Sequence, residues 1–460
     1  MRGSVDGQVL SKLAEIVGPE DVLSETKAME DYVHDMADFE AVPAVVVRPK
    51  TEAQVAGIVN LAAQSGIPVT ARGAGSSLTG AVVIRDGIIM DTRGMDKVLK
   101  IDTVNWYVHV QPGISLEDLN KALKPHGFFF PPDPASSYIA TVGGAIAEGS
   151  GGLRCVRYGT MKDWVMALRV VLPNGTVTKM GEPLAKNRAG YDLVHLIVGS
   201  EGTLGIVTEA WLKIIPIPSV ETKRFMVTFD NWESAGRVIS TLRSSRILPN
   251  LFEFLDWENI HALNEKLGMS FDEAEATLLV DVEERDAGIA EGIFRDCGAT
   301  KITAAKDEDE AEAFYQARSM AYLAIKSIAT GIQVEDVAVP IDRLGEYLKL
   351  VKGVAAKYSV KIAVNGHAGD GNVHPTILYE KSDEKSREMA NLAFEEICRR
   401  AIAMGGSITG EHGVGLQKSK FLREQLEEHG GEQSLRLMKE IKTLFDPDNI
   451  MNPGKYVETA

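Results

Sequence analysis

Arg72-Gly73-Ala74-Gly75-Ser76-Ser77-Leu78-Thr79-Gly80 follows directly on a short β-rich run, Ile67-Pro68-Val69-Thr70-Ala71. Glycine lets a backbone approach a ligand closely, so such a loop presents N–H groups and hydroxyls to a pyrophosphate. Two familiar phosphate folds are excluded. The Rossmann pattern needs glycine where Leu78 stands and an amphipathic helix after it. The chain instead runs on as AVVIRDGIIMD, residues 81–91, which reads as more strand, and no Walker lysine is present. Alone, the loop reads equally well as an ordinary tight turn.

Two further stretches weigh against the plain turn. Residues 131–160, PPDPASSYIATVGGAIAEGSGGLRCVRYGT, carry prolines, Gly143-Gly144 and Gly151-Gly152 and few charges. Long irregular segments inside compact domains are usually functional. Gly199-Ser200-Glu201-Gly202-Thr203-Leu204-Gly205 again leads small residues into a strand-like run. Three such loops in one region suggest a large phosphate-bearing ligand lying across them. Around them, residues 8–17 and 51–66 have helical apolar spacing, the second opening on Thr51 and closing on Gly66. Residues 164–180 read as a hairpin about Asn174-Gly175. The texture changes after Pro216 and Pro218, where strand-like runs alternate with long helical patterns at 307–328, 341–357 and 383–403. The expected class is α+β: residues 1–218 form the loop-bearing domain and 219–460 an α+β cap with an antiparallel sheet.

The cap contains KIAVNGHAGDGNVHPTILY, residues 361–379, which reads as strand, turn and strand. With Asp370-Gly371 at the centre of the turn, residues whose numbers sum to 741 face each other, and His367 and His374 do so. Directly opposed cross-strand residues have Cβ atoms about 4.5–5.5 Å apart, which suits chelation by two imidazoles. Gly410-Glu411-His412-Gly413-Val414-Gly415 supplies a candidate third ligand, Glu411. Two histidines and a carboxylate leave positions open for substrate, as catalytic zinc and non-haem iron sites do.

Composition removes other classes. The 460 residues carry a net charge of −16, which repels nucleic-acid phosphates and anionic lipid headgroups. The three cysteines, Cys155, Cys297 and Cys398, are too far apart for CxxC zinc or iron–sulfur motifs. No early apolar segment reads as a secretory signal, and no apolar run approaches the roughly 20 residues of a membrane span. The expectation is a cytoplasmic protein without a transmembrane segment.

The order RGAGSSLTG, PPDPASSYIATVGGAIAEGSGG, GSEGTLGIVTEA resembles the FAD-binding domain of the vanillyl-alcohol oxidase type of flavoprotein. With the cap, nearly the whole chain resembles the branch holding glycolate oxidase flavin subunits, D-lactate dehydrogenases and D-2-hydroxyglutarate dehydrogenases. The resemblance implies FAD along Arg72, Gly73, Ala74, Gly75, Ser76, Ser77, Thr79, Pro132, Asp133, Ser136, Thr141, Gly143, Gly144, Gly152, Glu201 and Val207. Many relatives tether FAD through a histidine in the first loop, where this chain has Ser76 and Ser77, so the FAD is expected to be non-covalent. The resemblance also implies a segment of about 410–460 returning to the flavin, with Asn452 near the ring. NGHAGDGNVH and GEHGVG look like the metal and catalytic motifs, with His367, His374 and Glu411 binding zinc, manganese or iron. His412 then takes the hydroxyl proton of a 2-hydroxy acid, hydride leaves for flavin N5, and Arg318 holds the substrate carboxylate. Glu335-Asp336 lies where some relatives acting on dicarboxylates keep a lysine, which favours a small monocarboxylate, D-lactate or glycolate, with D-2-hydroxyglutarate as the alternative. The D configuration rests on the resemblance alone. So does a protein electron acceptor, an electron-transfer flavoprotein or an iron–sulfur subunit; a homodimer is one assembly open to the chain. From another class, a metal-dependent hydrolase using Glu411 or His412 leaves the three glycine-rich loops unexplained.

Overall fold

The computed structural model describes residues 3–37 and 39–457. The chain forms two compact units, one of Met1–Gly152, Thr160–Ile217 and Glu411–Ala460, the other of Leu153–Gly159 and Pro218–Gly410.

The first unit contains a four-stranded sheet in the order Val22–Leu23, Val45–Val47, Ile88–Asp91, Val69–Arg72. Its last three strands are parallel, and helix Glu52–Ser65 connects Val45–Val47 to Val69–Arg72. The Thr51 side chain caps that helix by accepting from Gln54 N, and Gly66 ends it in the left-handed conformation. Its apolar face, Val55, Ile58, Val59 and Ala62, packs with Val45, Val47, Val69, Ile88 and Met90 into one core. A second sheet is antiparallel, ordered Val98–Asp102, Tyr107–Val110, Ile206–Lys213, Val165–Val171, Val177–Gly181. The hairpin read at Asn174-Gly175 joins its last two strands, with Val171 opposite Val177.

One expectation is corrected here. Of the run 81–91 only Ile88–Asp91 is strand, and residues 81–87 pass through turns and bends. The free edge of Val69–Arg72 is taken instead by the C-terminal segment: Val69 N donates to Ile450 O at 2.7 Å and Asn452 N to Val69 O at 2.8 Å. The carbonyls of Ala81 and Val83 accept from Asn452 Nδ2 and Lys455 Nζ, so these residues are satisfied without strand pairing.

The second unit is built on an eight-stranded antiparallel sheet. Its middle runs Ala276–Glu283, Leu251–Asp256, Lys361–His367, Asn372–Tyr379, with Gly331–Val334 and Val337–Ala338 both pairing with the last. Helices Trp257–Leu267, Glu308–Ser319 and Ala321–Lys326 supply Ile260, Leu263, Phe314, Ala317 and Ile325 to a core shared with Leu251, Leu255, Leu279 and Ala363.

The 361–379 hairpin forms, but in a different register from the one expected. His367 pairs with Asn372 and Asn365 with His374, so facing residues sum to 739. The turn is four residues long, 368–371, and the N–H groups of Asp370 and Gly371 both donate to His367 O. Gly371 closes it at φ +82, a conformation an L side chain rarely adopts. The two histidines are therefore diagonal neighbours rather than opposed. A shift of two residues preserves the face of a strand, and the rings still meet, with centroids 5.1 Å apart and planes at 88°.

Candidate functional site

Within the first unit the three glycine-rich loops converge on one cleft. Arg72, Gly73, Gly143, Gly144, Ser200, Glu201 and Val207 line it, together with Thr92, Pro112, Ala147 and Glu148. It encloses about 620 Å³, open solvent at its mouth included. The loops touch because Gly73 has no side chain: a Cβ there would lie 2.2 Å from Thr141 Oγ1. Thr141 also caps helix Val142–Glu148 by accepting from Gly144 N at 3.2 Å.

Arg72 is buried, donates through Nη2 to Asp31 O at 2.9 Å and lies over the Tyr32 ring. Its Nη1 is buried with no hydrogen-bond partner among the described residues. An orphaned guanidinium donor in a cleft lined by glycines fits an anionic diphosphate. Several other expected residues make contacts within the loops. Thr79 O accepts from Leu416 N and Gln417 N, Ser136 O accepts from Ile139 N and Ala140 N, and Gly152 lies against the Asp133 backbone. Asn452 donates to Ala81 O and to Glu201 O and accepts from Thr70 Oγ1, so its whole amide holds loops together.

Glu201 is the hub of this unit. It is buried at φ +52, and its carboxylate accepts from Val414 N at 2.6 Å and Gly415 N at 2.8 Å. Burial pushes its carboxyl up to about 7 against those two hydrogen bonds and the charges of Lys455 and Lys418. Glu148 beside it is pushed well above the usual carboxylate range, by burial first and then by Glu201 and Asp35. Sequence reading missed Glu148, because nothing in AEGSGG distinguishes a carboxyl that lines a cleft from one in solvent.

Within the second unit the polar face of the central strands carries the other expected residues. Glu253 lies opposite His367 in the sheet. Its Oε1 is 2.7 Å from His367 Nδ1 and its Oε2 accepts from Arg318 Nε at 2.7 Å. The Arg318 side chain, at the end of helix Glu308–Ser319, makes no other hydrogen bond among the described residues, so its Nη groups remain for an anion. His374 Nδ1 lies 3.6 Å from Asp336 Oδ1. Asp336, fully buried, accepts from Asn372 Nδ2 through Oδ1 and from Thr409 Oγ1 and Gly410 N through Oδ2. Neither Glu253 nor the role of Asp336 was legible in sequence, since each depends on strand neighbours distant in the chain.

Gly410 is the last residue of this unit and Glu411 the first of the returning segment. Glu411 and His412 stand at that passage, His412 Nε2 3.7 Å from Glu411 Oε1 and the His412 side chain one-fifth exposed.

Residues 43–181 match the FAD binding domain family and residues 220–456 match the family described as FAD linked oxidases, C-terminal domain. The chain is 36% identical over 457 residues to glycolate oxidase subunit GlcD of Bacillus subtilis, covering 97% of this chain and 96% of that protein. It is 35% identical to a D-lactate dehydrogenase of Archaeoglobus fulgidus, covering 97% and 98%. Its fold is similar to that of p-cresol methylhydroxylase, with TM-score 0.81 at 20% identity over 99% of this chain and 98% of that one. The chain belongs to the FAD-linked oxidase family within the vanillyl-alcohol oxidase flavoprotein superfamily. It is an FAD-linked oxidoreductase, with the α+β architecture of that superfamily: an FAD-binding part and a cap on an antiparallel sheet. No helix among the described residues is long and apolar enough to cross a membrane.

Proposed function

We propose that this chain oxidises a small 2-hydroxy acid, D-lactate or glycolate, to the 2-oxo acid, with non-covalent FAD and a divalent metal. The relatives named for glycolate and D-lactate support the substrate class. The observation that carries the reading is the carboxylate of Glu253, shared between His367 Nδ1 and Arg318 Nε. A histidine whose Nδ1–H is held by a carboxylate keeps its lone pair at Nε2, the arrangement usual for metal ligands. An arginine held at Nε presents its Nη edge to a planar carboxylate.

His367, His374 and Glu411 are the proposed ligands, and zinc, manganese and iron all suit two imidazoles and a carboxylate. Bound there, the metal supplies Lewis acidity that lowers a hydroxyl pKa; bound FAD supplies a two-electron acceptor. Arg318 binds the substrate carboxylate and orients C2. His412 accepts the hydroxyl proton, a task suited to an imidazole near neutral pH. Arg72, Ser76 and Ser77 hold the diphosphate, and Ser76 and Ser77, with no histidine in that loop, leave the flavin without a covalent tether. The three cysteines are too far apart in sequence for an iron–sulfur relay, so electrons leave by a separate acceptor, proposed to be a protein.

Anaerobic mixing with a panel of D- and L-2-hydroxy acids tests this. Bleaching of the flavin absorbance by D-lactate or glycolate, with L-lactate at least tenfold slower than D-lactate, is the expected result. Bleaching by D-2-hydroxyglutarate alone would shift the assignment to a dicarboxylate, and bleaching by none would refute it.

A further inference from the structure

The pairing of strands Leu251–Asp256 and Lys361–His367 sets Glu253 against His367, and helix Glu308–Ser319 brings in Arg318. The three side chains are nearly sealed from solvent, at 1%, 5% and 6% exposure for Glu253, His367 and Arg318. Both oxygens of Glu253 are engaged, one by each neighbour. Resting on the function proposed above, we infer that Glu253 is a positioning residue that serves metal and substrate at once. One oxygen fixes the proton of His367 on Nδ1, and the other sets the plane of the Arg318 guanidinium.

The chemistry of the two partners makes this separable from plain packing. The guanidinium is always protonated, so Arg318 Nε can only donate. Imidazole can donate or accept at Nδ1 according to its tautomer. In Glu253→Gln the amide has one acceptor and one donor group. Arg318 captures the acceptor, which turns the NH2 group toward His367. Nδ1 must then accept, the ring proton moves to Nε2, and the lone pair a metal needs at Nε2 is lost. The substitution keeps the shape of the side chain and the hydrogen bond to Arg318 while reversing the tautomer of His367. Loss of such an outer partner typically weakens metal binding about 10–100-fold.

The test uses the FAD-loaded full chain stripped of metal. Zn²⁺ is titrated against a chromogenic chelator, and ¹⁵N-histidine NMR reads the His367 tautomer. The expected result is Nδ1 protonation in the parent, Nε2 protonation in Glu253→Gln, and Zn²⁺ affinity at least tenfold weaker with unchanged FAD content. Equal Zn²⁺ affinity in parent and variant would overturn the inference. So would Nε2 protonation of His367 in the parent protein, a readout that does not depend on whether the variant folds. Failure of the parent itself to bind Zn²⁺, Mn²⁺ or Fe²⁺ would instead remove the metal from the proposed function. The tautomer alone would then decide for Glu253, Nδ1 protonation upholding its role and Nε2 protonation overturning it.

Discussion

Glu148 and Glu201 show how one residue type takes two parts in the same cleft. Glu201 receives two backbone N–H groups, whereas Glu148 Oε2 is buried with no hydrogen-bond partner among the described residues. A carboxyl in that setting is favoured neutral, and the rise reported for Glu148 follows from burial. Its ordinary value is 4.5, so with rising pH the unfolded chain releases this proton before the folded protein does. Stability from this group is complete below about pH 4.5 and is lost as pH climbs towards its raised folded value. Glu201, raised to about 7, and Asp35, raised to about 6, act in the same direction. Glu148→Gln replaces a neutral acid by a neutral amide of similar shape. Thermal midpoints at pH 5 and pH 8 should show the variant above the parent at pH 8 and close to it at pH 5. A larger advantage at pH 5 would contradict the assignment.

At the scale of the element, the 361–379 hairpin decides where the histidines stand. Its four-residue turn depends on Gly371 at φ +82, where a Cβ would come within 2.3 Å of Val339 O. Gly371→Ala should destabilise the cap by at least about 1 kcal/mol, from backbone strain alone, read as a lower urea midpoint. An unchanged midpoint would show that the turn relaxes to another register. The same hairpin marks how far sequence carried the reading. Strand, turn and strand were legible from alternation and from glycine, and the shared face survived because the register was displaced by two residues. The register itself was not legible, because Asp370-Gly371 suits the centre of a two-residue turn while the observed loop is closed by backbone bonds to His367 O. The glycine-rich loops were legible because close approach demands glycine, as at Gly73. Glu253, Asp336 and Glu148 were not, because their meaning comes from strand order and burial rather than from neighbours in the chain. The run 81–87 misled for a related reason: its apolar residues suit a strand, but the C-terminal segment holds the edge it would have joined.

At the scale of the whole molecule, the chain divides its chemistry between two units. One carries the cleft proposed for FAD, built from glycine-rich loops held by Asn452 and Glu201. The other carries the polar strand face with Arg318, Glu253, His367 and His374. The returning segment leaves the second unit at Gly410, bonded to Asp336, and four residues on Val414 is bonded to Glu201 in the first. Glu411 and His412 occupy that short span of chain. On the proposed function, metal acts on substrate oxidation and leaves FAD binding alone, since the residues lining the cleft include none of the proposed ligands. The most direct measurement is the rate of anaerobic flavin bleaching by D-lactate before metal removal, after it, and after restoring Zn²⁺ or Mn²⁺. Stripped protein should keep its FAD, bleach at least about 100-fold more slowly, the lower end of what a catalytic proton transfer contributes, and recover on metal addition; undiminished bleaching by fully stripped protein would refute a role for the metal in the oxidation.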